Sequence, residues 1–110
     1  MNHEMKLQNE SFELIERDIK NVEYRMNDEK RQKLKVSDTI TFTNIDSNSK
    51  LVVVIIGLKY YKNLLEMYSD SFDLYLTDYY KDPNAAVIGT NYYSTADIEK
   101  YGCVAIYFKK

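Results

Sequence analysis

The sequence predicts an α+β domain that is mainly β, in which about five to six strands form a mixed barrel covered by short helices. Three segments carry this prediction. Residues 39–43 alternate polar and apolar side chains, as a half-buried strand does. Residues 51–58, LVVVIIGL, are continuously apolar and mostly β-branched, and residues 103–108, CVAIYF, have the same character near the end of the chain. The chain therefore contains at least three strands of a β-rich core.

Length and composition indicate one folded domain. The 110 residues suit a single domain over residues 1–110 with one core. Hydrophobic residues make up 45% and charged residues 29%, which argues against global disorder. Residues 1–10 lack the apolar stretch of a signal peptide, and no apolar run is long enough to cross a bilayer. We expect a cytoplasmic protein that does not enter a membrane.

Charge and cysteine content narrow the partners and the chemistry. A net charge of −2 argues against strong non-specific binding of nucleic acid, but it leaves room for a local basic site. Cys103 is the single cysteine, so we expect no disulfide, no disulfide-linked partner and no cysteine-based zinc site, and no cofactor is indicated. It lies in an apolar strand and is interpreted as inert core. The single histidine, His3, lies in a tail that we expect to fray, which argues against a histidine-dependent site.

The first third of the chain predicts a helix followed by a strand. Residues 8–17 place Phe12 and Ile15 on one side of a short helix, with Asn9 or Ser11 as its N-cap. Residues 19–25 then read I-K-N-V-E-Y-R and have strand character.

The alternation of that strand bears on its charged residues. It sets Val22 and Tyr24 on one face and Glu23 and Arg25 on the other. Strict alternation also places Lys20 on the face of Val22. Lys20 can therefore join Glu23 only if it lies at the strand entrance or at a bulge.

Residues 27–35, NDEKRQKLK, form a charged connection. Two acidic residues precede four basic ones, which is compatible with a single helical turn. The connection is either a solvated loop or a phosphate-facing patch, and the sequence leaves both interpretations open.

A hairpin is predicted next. Residues 44–49 are rich in Asn, Asp and Ser, which favour a chain reversal. Residues 39–44 and 51–58 are therefore expected to pair, with the second strand buried on both faces.

The remaining residues predict helices and a closing strand. Helical spacing appears in residues 63–70 and again in 72–76, and residues 78–91 with Pro83 read as a loop. Ser94 has the form of a cap on a helix at residues 95–101 that Gly102 ends.

One motif resembles a known family signature. Asp18-x-Lys20-x-x-Glu23-x-Arg25 is similar to the G-x-K-x-x-E-x-R pattern of the ASCH domain family, small PUA-like β-barrels associated with RNA. Residues 12–15, 27–35, 36–42 and 101–106 extend the resemblance over most of the chain. Asp18 and Ser37 stand where the family pattern has Gly.

The resemblance implies a site and a ligand class. It implies a cleft that binds RNA, a nucleoside or a nucleotide. The expected binding residues are Lys20, Glu23, Arg25, Lys30, Arg31 and Ser94. A planar guanidinium suits a phosphate or a base edge, an ammonium supplies a point charge, and a carboxylate accepts from an exocyclic amine.

Other functions stay open at this point. The family also implies a small hydrolase acting on an acylated nucleoside, or a ribonuclease, and Lys20 and Glu23 are then the candidate catalytic residues. Without any ligand the same charges are an exposed strand edge with cross-strand pairing. A protein-interaction module that keeps the barrel without the chemistry is the third alternative.

Overall fold

The structure is a computed structural model that describes residues 1–76, 79–90 and 93–110. Within these ranges the chain forms five strands, four α-helices and one 3₁₀ turn at Arg31–Lys33. The strands are β1 Asn2–Leu7, β2 Val22–Met26, β3 Thr39–Asn44, β4 Lys50–Tyr61 and β5 Cys103–Lys109. The helices are α1 Asn9–Glu16, α2 Leu64–Tyr75, α3 Pro83–Gly89 and α4 Thr95–Tyr101.

The strands form one mixed sheet in the order β1-β3-β4-β5-β2. β1 runs parallel to β3, from Asn2 opposite Thr39 to Leu7 opposite Asn44. β3 and β4 pair antiparallel, so the predicted hairpin is confirmed. The predicted α+β, mainly β class is confirmed as well, with the strand number at the lower end of the prediction.

The described residues group into two compact units. The first comprises Met1–Glu23, Leu34–Leu58 and Ile106–Lys110, and the second comprises Tyr24–Lys33 and Lys59–Ala105. Strands β2, β4 and β5 each run from one unit into the other along the chain. The single domain over residues 1–110 stays a prediction.

The core of the first unit is built by strand alternation. Alternate residues of β1 and β3 and the middle of β4 are buried, and most of them are apolar, among them Met5, Ile40 and Ile55. Phe42 meets the edge of the Phe108 ring at a centroid distance of 5.5 Å. Helix α1 adds Phe12 and Ile15. These side chains exclude water from one face of β3, which fixes its register against both neighbours.

The beginning of the chain corrects one expectation. The tail expected to fray is strand β1, and His3 is only 9% exposed. His3 Nε2 lies 2.8 Å from Asp38 Oδ2. Residues 3, 5 and 7 are all buried, so the segment has the two-residue period of a strand. The pattern was overlooked because a histidine occupies one of its inward positions.

Two predictions about residues of the first unit are wrong. The N-cap of α1 is Gln8, without a side-chain cap, and the amide of Asn9 instead accepts a hydrogen bond from Asn44 Nδ2 at 2.9 Å. β4 is not buried on both faces, since Val52 is 54% exposed and Ile56 is 52% exposed. An apolar run identifies a strand but does not specify what covers it.

Helices of the second unit differ from the prediction in two places. α2 is one continuous helix, because Ser71, expected to interrupt it, is buried and bonded to Tyr24. α3 occupies the predicted loop 78–91, whose first and last positions lie outside the described residues. Asp82 accepts from Ala85 N at 2.8 Å and Pro83 fills the first turn, which is a standard helix start.

The α4 prediction is confirmed. Ser94 caps the helix and Gly102 ends it with φ +70°. A Cβ at this glycine would lie 2.7 Å from the main-chain oxygen of Tyr61, so position 102 excludes other residues on two grounds.

Both positions that depart from the family glycines adopt left-handed backbone. Asp18 has φ +60° and Ser37 has φ +81°. The turn geometry that glycine permits is therefore kept by residues with a side chain. Asp tolerates this region better than Ser does, because its carboxylate bonds locally.

We expect Ser37→Gly to raise the thermal midpoint of unfolding by a few degrees. A side chain in the left-handed region costs about 1–2 kcal/mol, of which the greater freedom of glycine in the unfolded chain cancels roughly 0.5–1 kcal/mol. Thermal unfolding followed by circular dichroism measures the change. Lys35→Gly is the matched control, since Lys35 is exposed and is not among the positive-φ residues, and it should lower the midpoint. Equal losses in both variants would contradict the strain argument.

A second prediction concerns acid stability. The hydrogen bond from His3 holds the pKa of Asp38 below its usual range. A depressed carboxyl pKa stabilises the fold at pH above about 4, and this contribution is lost as the pH falls through the lowered pKa. We expect urea unfolding to show a decline in the free energy of unfolding below pH 4, and a shallower decline in His3→Gln. Identical slopes in the two proteins would show that the pair does not shift the titration.

Candidate functional site

The structure brings Lys20 and Glu23 together. Lys20 Nζ lies 3.0 Å from Glu23 Oε1, and the two side chains are 21% and 8% exposed. β2 begins only at Val22, so Lys20 lies at the strand entrance and is not bound by the alternation of the strand. The sequence allows Lys20 and Glu23 to share a site if Lys20 lies at the strand entrance, and the structure places it there.

The main chain around Lys20 is fixed by its neighbours. Lys20 N donates to Leu14 O at 3.1 Å, in the turn that follows α1. Asn21 O accepts from Phe108 N at 3.1 Å. The left-handed residue Asp18 makes the reversal between these two contacts and the helix. These hydrogen bonds before and after Lys20 fix the turn that positions its ammonium group.

The environment of this ion pair is largely shielded from water. A carboxylate that is almost buried requires a charge partner, because desolvation of an isolated charge is costly. The ammonium of Lys20 is such a partner, with its Nζ 3.0 Å from Glu23 Oε1. Burying such a pair adds little stability compared with apolar side chains of similar size. Stability alone thus gives little reason for the sequence to place it here.

Arg25 lies two residues further along β2 and is half-buried. The preceding residue, Tyr24, donates to or accepts from Ser71 Oγ at 2.6 Å, and its ring meets the Tyr68 ring edge-on at 5.2 Å. These contacts fasten the second half of β2 to α2. Sequence analysis placed Tyr24 on the face opposite Arg25 but did not give it this positioning role.

A directed chain of hydroxyl groups supports Tyr24. Thr90 Oγ1 donates its proton to Ala86 O at 2.8 Å, so it can only accept from the Tyr68 hydroxyl, also at 2.8 Å. Burial raises the pKa of Tyr68, which keeps the phenol protonated as a donor. The cluster is therefore an uncharged support in the second unit.

The predicted basic connection is only partly a free basic surface. Lys30 is exposed, whereas Arg31 is mostly buried and its Nη1 lies 3.2 Å from Asp28 Oδ2. Asp28 Oδ1 also accepts from the main-chain N of Arg31 at 3.1 Å, which closes the turn. The helical turn predicted in this segment is present as the 3₁₀ turn.

Two buried polar atoms of the connection have no hydrogen-bond partner. They are Asn27 Oδ1 and Arg31 Nε. Asn27 was not singled out from the sequence, and an asparagine after a strand carries no signal that distinguishes it from turn chemistry.

Ser94 has a structural role that accounts for it. Its hydroxyl oxygen accepts from Asp97 N at 3.1 Å, and the residue is exposed. Tyr92, two residues before Ser94 in the sequence, lies outside the described residues. Contact between Ser94 and a ligand stays a prediction.

Cys103 is core. It is fully buried, and burial raises the pKa of its thiol to about 11, so the nucleophilic thiolate is disfavoured. In the described part of the chain, no helix combines the length and the apolar character needed to cross a membrane.

The mixed sheet and the charged entrance to β2 define a small α+β domain built on one five-stranded mixed sheet. The model of the ASCH domain family matches residues 5–110, and the chain belongs to that family.

Solved structures agree with this assignment. The crystal structure of hypothetical protein PH0355 superposes with a TM-score of 0.85 at 32% sequence identity, over 99% of this chain and 98% of that chain. The solution NMR structure of protein PF0455 from Pyrococcus furiosus gives a TM-score of 0.76 at 31% identity, over 99% and 96% of the two chains. A sequence comparison with curated proteins finds no match.

A double-mutant cycle tests the ion pair. We expect Lys20→Met and Glu23→Gln each to lower the free energy of unfolding by about 1–3 kcal/mol, because each removes one charge of a shielded ion pair. The double variant should lose less than the sum, with a coupling of roughly 1 kcal/mol measured by urea denaturation.

The matched control is a solvent-exposed pair. Lys110 Nζ lies 3.5 Å from Asp18 Oδ1, with side chains 34% and 76% exposed. Lys110→Met should cost less than about 1 kcal/mol. Additive losses at Lys20 and Glu23 would show that the two side chains do not interact in solution.

Proposed function

We propose that this ASCH domain binds RNA, or a nucleoside or nucleotide component of RNA, through the segment from Lys20 to Arg31. Lys20, Glu23 and Arg25 are the principal contacts, and Lys30 and Arg31 supply charge at the end of the segment. Membership of the ASCH family supports RNA-type binding in general. The residues and their roles are part of the proposal.

The shielded Lys20–Glu23 pair is the observation that carries the proposal. A pair of opposite charges at 3.0 Å with side chains 21% and 8% exposed adds little to stability for the desolvation it requires. It does provide one donor and one acceptor of fixed position. Those are the groups needed to hold a polar, partly charged ligand such as a nucleotide.

The distribution of charge limits the length of nucleic acid that can bind. Four basic residues lie between positions 20 and 31, while the whole chain carries a net charge of −2. A long polyanion would meet repulsion beyond this segment, so most of its phosphates would gain nothing. A single nucleotide or a short single-stranded stretch therefore fits better than a duplex.

Hydrolysis is the second candidate, and one observation favours it. Glu23 is 6% exposed and has an ammonium beside it, an arrangement compatible with a general base and a group that polarises a carbonyl or phosphoryl oxygen. The substrate would be an acylated nucleoside or an RNA phosphodiester. To act as a base, Glu23 has to exchange its contact with Lys20 for one with the attacking water.

The proposal predicts that Arg25→Ala weakens ligand binding by at least about tenfold, the effect of removing a charge-assisted contact. Binding of nucleosides, nucleotides and short RNAs is measured by ligand-observed NMR, with mass detection of any product. Arg17→Ala is the control, because Arg17 is an exposed arginine at the end of α1 and should leave affinity unchanged.

The outcomes separate the alternatives. Thermal unfolding of Arg25→Ala must stay cooperative, and an unfolded variant would assign Arg25 to the fold. Product formed by wild type and abolished by Lys20→Ala would establish hydrolysis. Binding that weakens steeply with salt indicates phosphate contacts, and a flat response indicates recognition of an uncharged nucleoside. If none of the tested ligands binds, a protein-interaction module is favoured.

A further inference from the structure

The segment after β2 contains a donor and an acceptor that the fold leaves unused. Asn27 Oδ1 and Arg31 Nε are buried and have no hydrogen-bond partner within residues 1–76, 79–90 and 93–110. Buried polar atoms in folded proteins are nearly always bonded, and an exception calls for an explanation. A charged donor without an acceptor is the more costly of the two.

The main chain around these two residues is anchored. Asn27 N donates to Gly102 O at 2.9 Å, and Asn27 O accepts from Gln32 Nε2 at 3.0 Å. Arg31 uses its main-chain N and its Nη1 to bond both oxygens of Asp28. These bonds fix the turn that carries the two side-chain atoms.

We infer that Asn27 and Arg31 form a recognition pair that is completed by the base of the bound nucleoside or nucleotide, an inference that rests on the proposed function. Asn27 Oδ1 needs a donor, and Arg31 Nε needs an acceptor. An uncharged group that carries both, such as the hydrogen-bonding edge of a nucleobase, is the complement. A phosphate offers only acceptors and satisfies the guanidinium alone.

The ligand reaches these atoms only if the Arg31 side chain turns outward. The contact that has to open is the Arg31–Asp28 ion pair, whose side chains are 15% and 29% exposed. Opening this shielded pair costs stability, and the two hydrogen bonds that the base makes with Asn27 Oδ1 and Arg31 Nε have to offset that cost. Arg31 then acts on the base.

The experiment compares Asn27→Leu with Lys33→Ala. Leucine keeps the approximate shape of asparagine and removes the unpartnered oxygen. We expect its thermal midpoint to stay level or rise, while its affinity for a nucleoside falls about tenfold, the effect of losing one buried hydrogen bond. Lys33→Ala alters an exposed residue of the same turn, so its affinity should equal that of wild type.

Titration calorimetry with cytidine, uridine, adenosine, guanosine, ribose 5-phosphate and inorganic phosphate provides the readout. Asn27→Leu should weaken the nucleosides and leave the two base-free phosphates unaffected. Should Asn27→Leu fold poorly, Asn27→Ala is measured in its place. A drop in thermal midpoint with unchanged nucleoside affinity overturns the inference and assigns Asn27 to the fold.

Failure of the inference and failure of the proposed function are distinguishable. Nucleoside binding that Arg25→Ala weakens and Asn27→Leu does not overturns the base-reading role alone. Equal weakening of ribose 5-phosphate and nucleosides by Asn27→Leu also overturns it. Absence of any binding to wild type overturns both proposals.

Discussion

Strand β2 has to satisfy two demands at once, and the two-residue period of a strand is what makes this possible. Val22 is 2% exposed and Tyr24 is bonded to Ser71, so one side of the strand belongs to the packed interior. Glu23 and Arg25 alternate with them and carry the charges of the motif. A shift of one residue would remove Val22 and Tyr24 from the packing contacts that they make. The register of β2 is therefore fixed by side chains that have no chemistry of their own.

This dependence explains the unusual backbone near the motif. Lys20 reaches Glu23 only because the chain turns sharply after α1, and the left-handed conformation of Asp18 provides that turn. Glycine would allow the same conformation without a side chain in the way. With aspartate, the conformational cost is partly offset by a smaller loss of chain entropy on folding. The geometry at the strand entrance is thus kept by a different residue type.

Most of the fold was predictable because it depends on local, repeated signals. The alternation at Thr39–Asn44 and the cap-to-glycine interval from Ser94 to Gly102 predicted their elements within one or two residues. The failures have a common physical cause. His3 and Ser71 are polar residues buried by partners far along the chain, Asp38 and Tyr24, and no local pattern announces such partners. The exposure of Val52 was not predicted for the same reason, because it depends on which residues pack over strand β4.

The same distinction between local patterns and distant partners applies to the candidate site. Lys20, Glu23 and Arg25 were found because their spacing is a motif, and the contact of the first two followed from the strand entrance. Asn27 was not found, because its significance lies in an oxygen that has no hydrogen-bond partner among the described residues, and this is a property of the folded chain only. A buried donor and a buried acceptor without partners lower the stability of the fold. We propose that a ligand supplies these partners, so that the proposed site extends along the chain to Arg31.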